Sequence, residues 1–130
     1  MRFSTDLMTP QTLRHRLREN GDFGYIQHML QCAELITRTT HGMGKSEFLA
    51  SEVARETSIY RLMTMGMAAS DTSRVARQHY RSIPWRRLIN ISRTITQNML
   101  EPDFQMVWLV VHRGIPKILI ELRRIVAEIG

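Results

Sequence analysis

Apolar residues recur at three- and four-residue steps along most of the chain, and no run of four residues alternates cleanly enough to indicate a strand. These apolar stripes fall at residues 25–36, 59–69, 85–95 and 104–125. Each stripe has to be buried against another, and the connections between them are short. The pattern therefore predicts an all-α protein, an antiparallel bundle of four or five helices.

Capping residues, glycines and prolines indicate where the predicted helices begin and end. A short basic helix opens at Thr9-Pro10 and ends near Asn20-Gly21. We expect residues 1–21 to be an extension outside a helical domain of residues 22–130. The same signals indicate the remaining boundaries: Asp22 as the cap of the next helix, a stop at His41–Gly44, a helix from Ser46 that bends near Ser51, a cap at Asp71–Ser73 and a turn at Glu101–Asp103.

Two residues inside the predicted helices need a structural reason. Gly66 lies in the middle of a helix, where glycine costs about 1 kcal/mol relative to alanine. We therefore expect another helix to approach closely at Gly66. Pro116 has no N–H to donate to the preceding turn, so we expect a kink in the last helix.

The charge balance indicates the chemistry of a partner. Of the 18 basic residues 16 are Arg, and the net charge is +6. A guanidinium group binds phosphates and carboxylates through a planar fork, so the surface favours an anionic partner such as RNA, a nucleotide or an acidic protein. A solvated Arg-rich surface without a binding role explains the same charge, and both interpretations stay open.

Other classes of protein are disfavoured by what the sequence lacks. Cys32 is the single cysteine, so neither an internal disulfide framework nor a multi-cysteine metal site is expected. No histidine pair stands at metal-binding spacing, and we expect no metal and no cofactor. Residues 1–7 lack the apolar core of a secretion signal, and no segment is long and apolar enough to span a membrane. The expected location is the cytoplasm.

Five short segments stand in the order and approximate spacing of one known family. They are Tyr25-Ile26 with Met29-Leu30, Ser46-Glu47-Phe48, Gly66-Met67-Ala68-Ala69, Ile83-Pro84-Trp85-Arg86, and Asp103-Phe104-Gln105-Met106-Val107-Trp108. Together they resemble the HEPN ribonuclease toxins of the HepT type, and the resemblance covers about residues 23–128. The resemblance implies a HEPN-type helical bundle paired as a homodimer, metal-independent cleavage of RNA, and a minimal nucleotidyltransferase as the antitoxin partner.

The catalytic motif of that family reads Arg, four residues, His, one residue, Tyr. In the family, the histidine takes the proton of the ribose 2′-OH, and the arginine holds the scissile phosphate. An ungapped alignment between Pro84-Trp85 and Asp103 puts Ser92 at the arginine position, Gln97 at the histidine position and Met99 at the tyrosine position. We favour this register, which predicts that no catalytic residue of the family is retained.

A register shifted by one residue needs a gap on each side of the motif. It restores an arginine, Arg93, but puts Asn98 at the histidine position and Leu100 at the tyrosine position. Neither register supplies a histidine, and an amide or a thioether cannot accept a proton at neutral pH. The acids that flank the glycine of the family are also replaced, by Met63 and Met67.

Three functions follow as alternatives. The first is a non-catalytic homodimer that binds a partner protein, and this is the one that the sequence favours. The second is an active ribonuclease with a divergent site, for which His28 and His112 are the candidate bases. The third is a module that binds RNA or a nucleotide without cutting it. Arg86, Arg87 and Arg93 are the candidate anion-binding residues, although three arginines on an amphipathic helix are equally explained as its solvated face.

Overall fold

The structure is a computed structural model that describes residues 9–130, and every regular element in these residues is helical. The helices are α1 (Pro10–Glu19), α2 (Asp22–Thr40), α3 (Lys45–Ala50), α4 (Glu52–Asp71), α5 (Arg74–His79), α6 (Trp85–Gln97), α7 (Phe104–Leu109) and α8 (Ile115–Ile129), with a π-helical segment (Val110–Gly114) that joins α7 to α8. The predicted all-α class is confirmed. None of the helices in the described residues is long and apolar enough to cross a membrane.

The long helices α2, α4, α6 and α8 pack as a bundle, and cross-helix contacts give their directions. Asp22 contacts Ser73 just beyond the end of α4, whereas Cys32 contacts Thr64 nearer its middle, so α2 and α4 run antiparallel. The inward faces repeat at the three- and four-residue spacing that the sequence predicts. The buried residues of α2 and α8 include Ile26, Met29, Ala33, Ile36, Ile115, Ile118, Leu119, Leu122, Ile125 and Ile129.

Helices α4 and α6 approach most closely at Gly66. A Cβ atom at this position would overlap the Cβ of Ser92 and lie 2.5 Å from the carbonyl oxygen of Leu88. The absence of a side chain therefore allows the two backbones to meet, and the expected reason for Gly66 is confirmed.

The start of α2 differs from the prediction that Asp22 caps it. Gly21, with φ of 88°, occupies the cap position, and Asp22 is the first helical residue. The Asp22 carboxylate is buried and accepts two hydrogen bonds from Ser73, one from its N–H (2.7 Å) and one from its hydroxyl (2.6 Å). The prediction was wrong because a left-handed glycine supplies the turn and leaves the carboxylate free for a long-range contact.

Most other boundaries follow the predicted caps. Ser51 ends α3 and caps α4 by accepting the Ala54 N–H at 3.1 Å, which confirms the bend. Ser73 caps α5 through the Ala76 N–H, and Asp103 caps α7 through the Met106 N–H. The helix predicted to reopen at Ser46 begins one residue earlier, at Lys45.

The irregularity expected at Pro116 takes the form of the π-helical segment immediately before it. The Ile115 N–H donates to the Val110 carbonyl, five residues back instead of four. Such a widened turn accommodates a residue that has no N–H to donate and buries both Val110 and Val111.

Helix α1 packs against the rest of the molecule. Leu13 and Leu17 are buried, and the Arg18 guanidinium donates to the carbonyl oxygens of Ile129 (2.9 Å) and Gly130 (3.0 Å). The described part of the predicted extension is therefore docked on the bundle. A domain boundary at residues 21–22 remains a prediction, and residues 1–8 lie outside the described residues.

Candidate nucleic-acid interface

A groove of about 1110 Å³ lies between α5, the loop that follows it and the first half of α6. Its floor includes Trp85 and Ile91, and none of the described residues that line it is acidic. Arginines from all three elements line the groove, and we call it the arginine groove: Arg74, Arg77, Arg81, Arg86 and Arg87.

Local contacts bring these arginines together. The buried Asp22 carboxylate holds Ser73, the cap of α5, and so fixes the start of the helix that carries Arg74 and Arg77. The loop between α5 and α6 is closed by the Trp85 side chain, whose Nε1–H donates to the Tyr80 carbonyl at 2.9 Å. The short loop therefore sets α5 beside the first turn of α6.

The guanidinium groups of the arginine groove are electrostatically uncompensated within residues 9–130. None of the five has a carboxylate of these residues within 4.0 Å, whereas Arg123 and Arg124, elsewhere on the surface, pair with Glu34, Glu121 and Glu128. The Nε–H of Arg77 is buried and has no hydrogen-bond partner in the described chain. An unsatisfied buried donor costs about 1–3 kcal/mol, so this arginine is held in the groove at some cost to stability.

The structure groups the arginines differently from the sequence. Arg86 and Arg87 line the groove, but Arg93 does not. Arg86, Asn90, Arg93 and Gln97 follow one exposed stripe at steps of four, three and four residues, and this stripe leads from the groove to the end of α6. Sequence reasoning missed the contribution of α5, although the spacing of Arg74, Arg77 and Arg81 was a usable signal.

The three motif positions of the favoured register have different environments. Ser92 is only 5% exposed, and its hydroxyl donates to the Met63 carbonyl at 2.7 Å. Gln97 is the exposed last residue of α6, and Met99, 51% exposed, lies just beyond it. In the shifted register Arg93, Asn98 and Leu100 are all exposed. Neither set presents a proton-accepting side chain.

Comparison with known proteins identifies the family. The sequence model of the family described as "Ribonuclease HepT-like" matches residues 29–125, about three quarters of the chain. This chain belongs to the ribonuclease HepT-like family. The resemblance inferred from the five short segments is thereby confirmed.

Two relatives match over 105 residues, or 81% of this chain. The first, from Methanocaldococcus jannaschii, is 27% identical and is named "Gamma-glutamylcyclotransferase and putative RNase"; the match covers 47% of it, so this chain spans about half its length. The second, from Caldanaerobacter subterraneus subsp. tengcongensis, is 21% identical, is covered over 90% of its length and is named "Putative RNase". No solved structure gives a significant match to this chain.

Two residues that the resemblance places at changed positions are neighbours in space. Ser92 faces Gly66, and its hydroxyl donates to the backbone carbonyl of Met63. Neither the Ser92 side chain nor the Met63 side chain carries a charge. The α4–α6 contact is held by packing and by one neutral hydrogen bond.

The histidines that could substitute for the missing base lie elsewhere. His28 Nε2 is 3.4 Å from the Cys32 sulfur on α2, and Cys32 is fully buried. Burial raises the pKa of the Cys32 thiol, so this sulfur stays protonated at neutral pH. His112 stacks on Trp108, with ring centroids 4.8 Å apart. The described residues contain no group of three or more side chains able to hold a metal ion.

Proposed function

We propose that this HepT-like domain binds RNA through the arginine groove and does not cleave it by the mechanism of its family. The observation that carries the proposal is the convergence of five arginines from three successive elements on one groove without an acid among its described lining residues. RNA is the polyanion most consistent with a family whose relatives are named RNases.

Binding is supported by the geometry of the cations. Guanidinium groups form two-pronged hydrogen bonds to phosphate, and the exposed arginines of the groove have no intramolecular carboxylate partner in residues 9–130. A ligand therefore does not have to displace an existing ion pair. The exposed stripe through Arg86 and Arg93 extends the positive surface along α6 and supports contact with more than one phosphate.

The absence of cleavage is supported by the motif positions. A general base accelerates proton transfer by about 10²–10⁴-fold, and neither Gln97 nor Asn98 can act as one. Cations can stabilise the charge of a phosphate, but they leave the 2′-OH without a proton acceptor.

The test is the salt dependence of RNA binding, measured by fluorescence anisotropy with a labelled single-stranded RNA of mixed sequence. We expect log K to fall linearly with log salt concentration, and Arg86→Ala to lower the magnitude of the slope by about one. Arg123→Ala is the matched control, because it removes the same charge from an exposed residue paired with Glu34. If Arg86→Ala and Arg123→Ala have equal effects, the groove is not the binding site.

Binding of a partner protein is the second candidate, and exposed apolar side chains favour it. Leu100 is 99% exposed beside Met99, and Tyr60 and Met67 are exposed two turns apart on α4. A homodimer, or a complex with a minimal nucleotidyltransferase, would cover such side chains. Light scattering at micromolar concentration tests the dimer: Leu100→Asp should dissociate it, whereas Val53→Asp, at another exposed position, should not.

A further inference from the structure

A second groove adjoins the arginine groove and differs from it in chemistry. This side groove, of about 750 Å³, lies between α6 and the opposite wall formed by the π-helical segment and the first turns of α8. Its lining includes Leu88, Ile91, Val110, Ile118 and Ile120, with Arg113 and Lys117 as additional cations. A volume in the range of roughly 300–1,000 Å³ with apolar walls is typical of a site for a small organic group.

The two grooves adjoin each other along the first turns of α6. Pro84, Arg87 and Ile91 line both of them and separate one groove from the other. Along this path the lining changes from guanidinium groups to aliphatic side chains. Single-stranded RNA has a similar change of chemistry from its charged backbone to its bases, whose flat apolar faces can stack and which are free to turn away from the backbone.

One acid distinguishes a base from other occupants of the side groove. Glu121 is the single acidic residue among the described residues that line either groove. Its Oε2 accepts from Arg124 Nε at 2.9 Å and from the Ser82 hydroxyl at 3.3 Å. Its Oε1 has no hydrogen-bond partner in residues 9–130 and can accept from a ligand. A carboxylate repels phosphates and acidic peptides but accepts a hydrogen bond from the amino group of a base.

We propose that the side groove is a base-binding subsite, in which Glu121 accepts a hydrogen bond from the amino group of a base whose backbone phosphates lie in the arginine groove. The inference rests on the proposed RNA-binding function and adds to it a preference for unpaired RNA and for bases that carry an amino group. Cytosine and uracil provide a matched test, because cytosine has an amino donor where uracil has a carbonyl acceptor.

Anisotropy titrations of labelled oligo(C) and oligo(U) of equal length test the base preference at one salt concentration. We expect oligo(C) to bind about tenfold more tightly, which corresponds to about 1.4 kcal/mol. Glu121→Ala should abolish this preference. Glu128→Ala should preserve the preference. This substitution removes the same charge and also removes a partner of Arg124, but Glu128 does not line the side groove. Equal binding of the two oligonucleotides by the unmodified protein would overturn the subsite.

Filling the side groove tests its occupancy independently of charge. A Cβ atom at Gly114 meets nothing within 4 Å, so Gly114→Leu should project into the groove without disturbing the fold. We expect it to weaken the binding of a single-stranded RNA by about tenfold, which corresponds to about 1.4 kcal/mol of binding free energy. Binding of duplex RNA should not change. Gly24→Leu is the control, because a Cβ at this exposed helical position is also free of contacts.

The failures of the two proposals are distinguishable. If Gly114→Leu has no effect while arginine substitutions still weaken binding, the base subsite is wrong and RNA binding by the arginine groove stands. If no RNA binds with salt-dependent affinity, the proposed function itself fails. If oligo-glutamate binds as tightly as oligo(C), the two grooves bind polyanions in general, and recognition of a base by the side groove is excluded.

Discussion

The two halves of α6 present different side chains. Its first half contributes Arg86 and Arg87 to an open groove, and its second half carries the motif positions Ser92 and Gln97, one buried and one exposed but uncharged. Binding of a polyanion requires only that cations converge, so it tolerates changes in which residues supply them. Proton transfer requires a basic side chain within reach of the 2′-OH, so substitution of that side chain removes it. Binding and cleavage are therefore separable within one helix.

The largest expected effect comes from rebuilding the second half of α6. We expect no metal-free cleavage of a mixed RNA pool by the unmodified protein. The variant Met63→Glu, Ser92→Arg, Gln97→His, Met99→Tyr should cut about 10²–10⁴-fold faster than the same variant with Gln97 retained. Met63→Glu is included because Ser92 is buried and hydrogen-bonded to the Met63 backbone, and a buried arginine needs an acid nearby; position 63 is also an acid position of the family.

Robust cleavage by the unmodified protein would contradict this expectation and direct attention to the two remaining candidate bases. His28→Ala and His112→Ala would then identify which of them acts. A rebuilt variant that is folded but inactive would mean that more than these positions has diverged.

The next effect concerns the first half of α6 and its neighbours. The triple variant Arg74→Ala, Arg81→Ala, Arg86→Ala removes three exposed cations of the arginine groove. The net contribution of a hydrogen bond is about 0.5–1.5 kcal/mol, so loss of three should lower the RNA affinity at low salt by about 10–10³-fold. Circular dichroism should report an unchanged helix content. A triple variant of exposed arginines outside the groove, Arg16→Ala, Arg38→Ala, Arg123→Ala, should lose much less affinity.

A smaller effect tests whether the two halves are independent. Gly66→Ala should destabilise the fold by about 1–3 kcal/mol, because its methyl group has no space between α4 and α6. Gly24→Ala should stabilise it slightly, since that position is helical and open. Denaturant titration measures both. At a temperature where Gly66→Ala remains folded, RNA affinity should match that of the unmodified protein; a large loss would mean that the groove depends on this contact.

The smallest effect concerns Tyr80, at the end of α5 next to the arginine groove. Its hydroxyl is buried without a partner in the described residues, and burial raises the pKa of Tyr80 to about 12. The folded state therefore favours the neutral phenol relative to the unfolded state, where the pKa is about 10. This contribution to stability is complete below pH 10 and is lost as the pH rises towards 12.

Tyr80→Phe should remove that pH dependence without changing RNA affinity. The difference in free energy of unfolding between the variant and the unmodified protein should be small at pH 8 and should favour the variant increasingly between pH 10 and 12. Urea titrations at pH 8 and pH 11 measure it. A difference that does not change with pH would mean that Tyr80 titrates alike in both states.

The sequence predicted the helices well because burial of apolar stripes determines them. The close approach at Gly66 was also readable, since glycine in a helix needs a spatial reason. The arginine groove was only half predicted, because the contact of α5 with α6 depends on the turn from Tyr80 to Trp85. The buried Asp22–Ser73 contact joins residues 51 positions apart, and no local pattern indicates it.

The burial of Ser92 is also indicated by the periodicity of α6. Ser92 stands four residues after Leu88 and three before Ile95, and both of these residues are buried. A polar residue on the inward face of an amphipathic helix indicates a hydrogen bond across a helix contact. The family resemblance interprets Ser92 only as a replaced catalytic residue. The periodicity of α6 additionally predicts that it lies in the core.

The Ser92–Met63 hydrogen bond limits which residues can replace Ser92. A mutation that restores arginine at position 92 alone buries a charge without its acid, and an unpaired buried charge costs about 3–5 kcal/mol, a large share of the roughly 5–15 kcal/mol that stabilises a domain. An arginine at position 92 is therefore tolerated only together with a change that supplies an acid or opens the contact between α4 and α6.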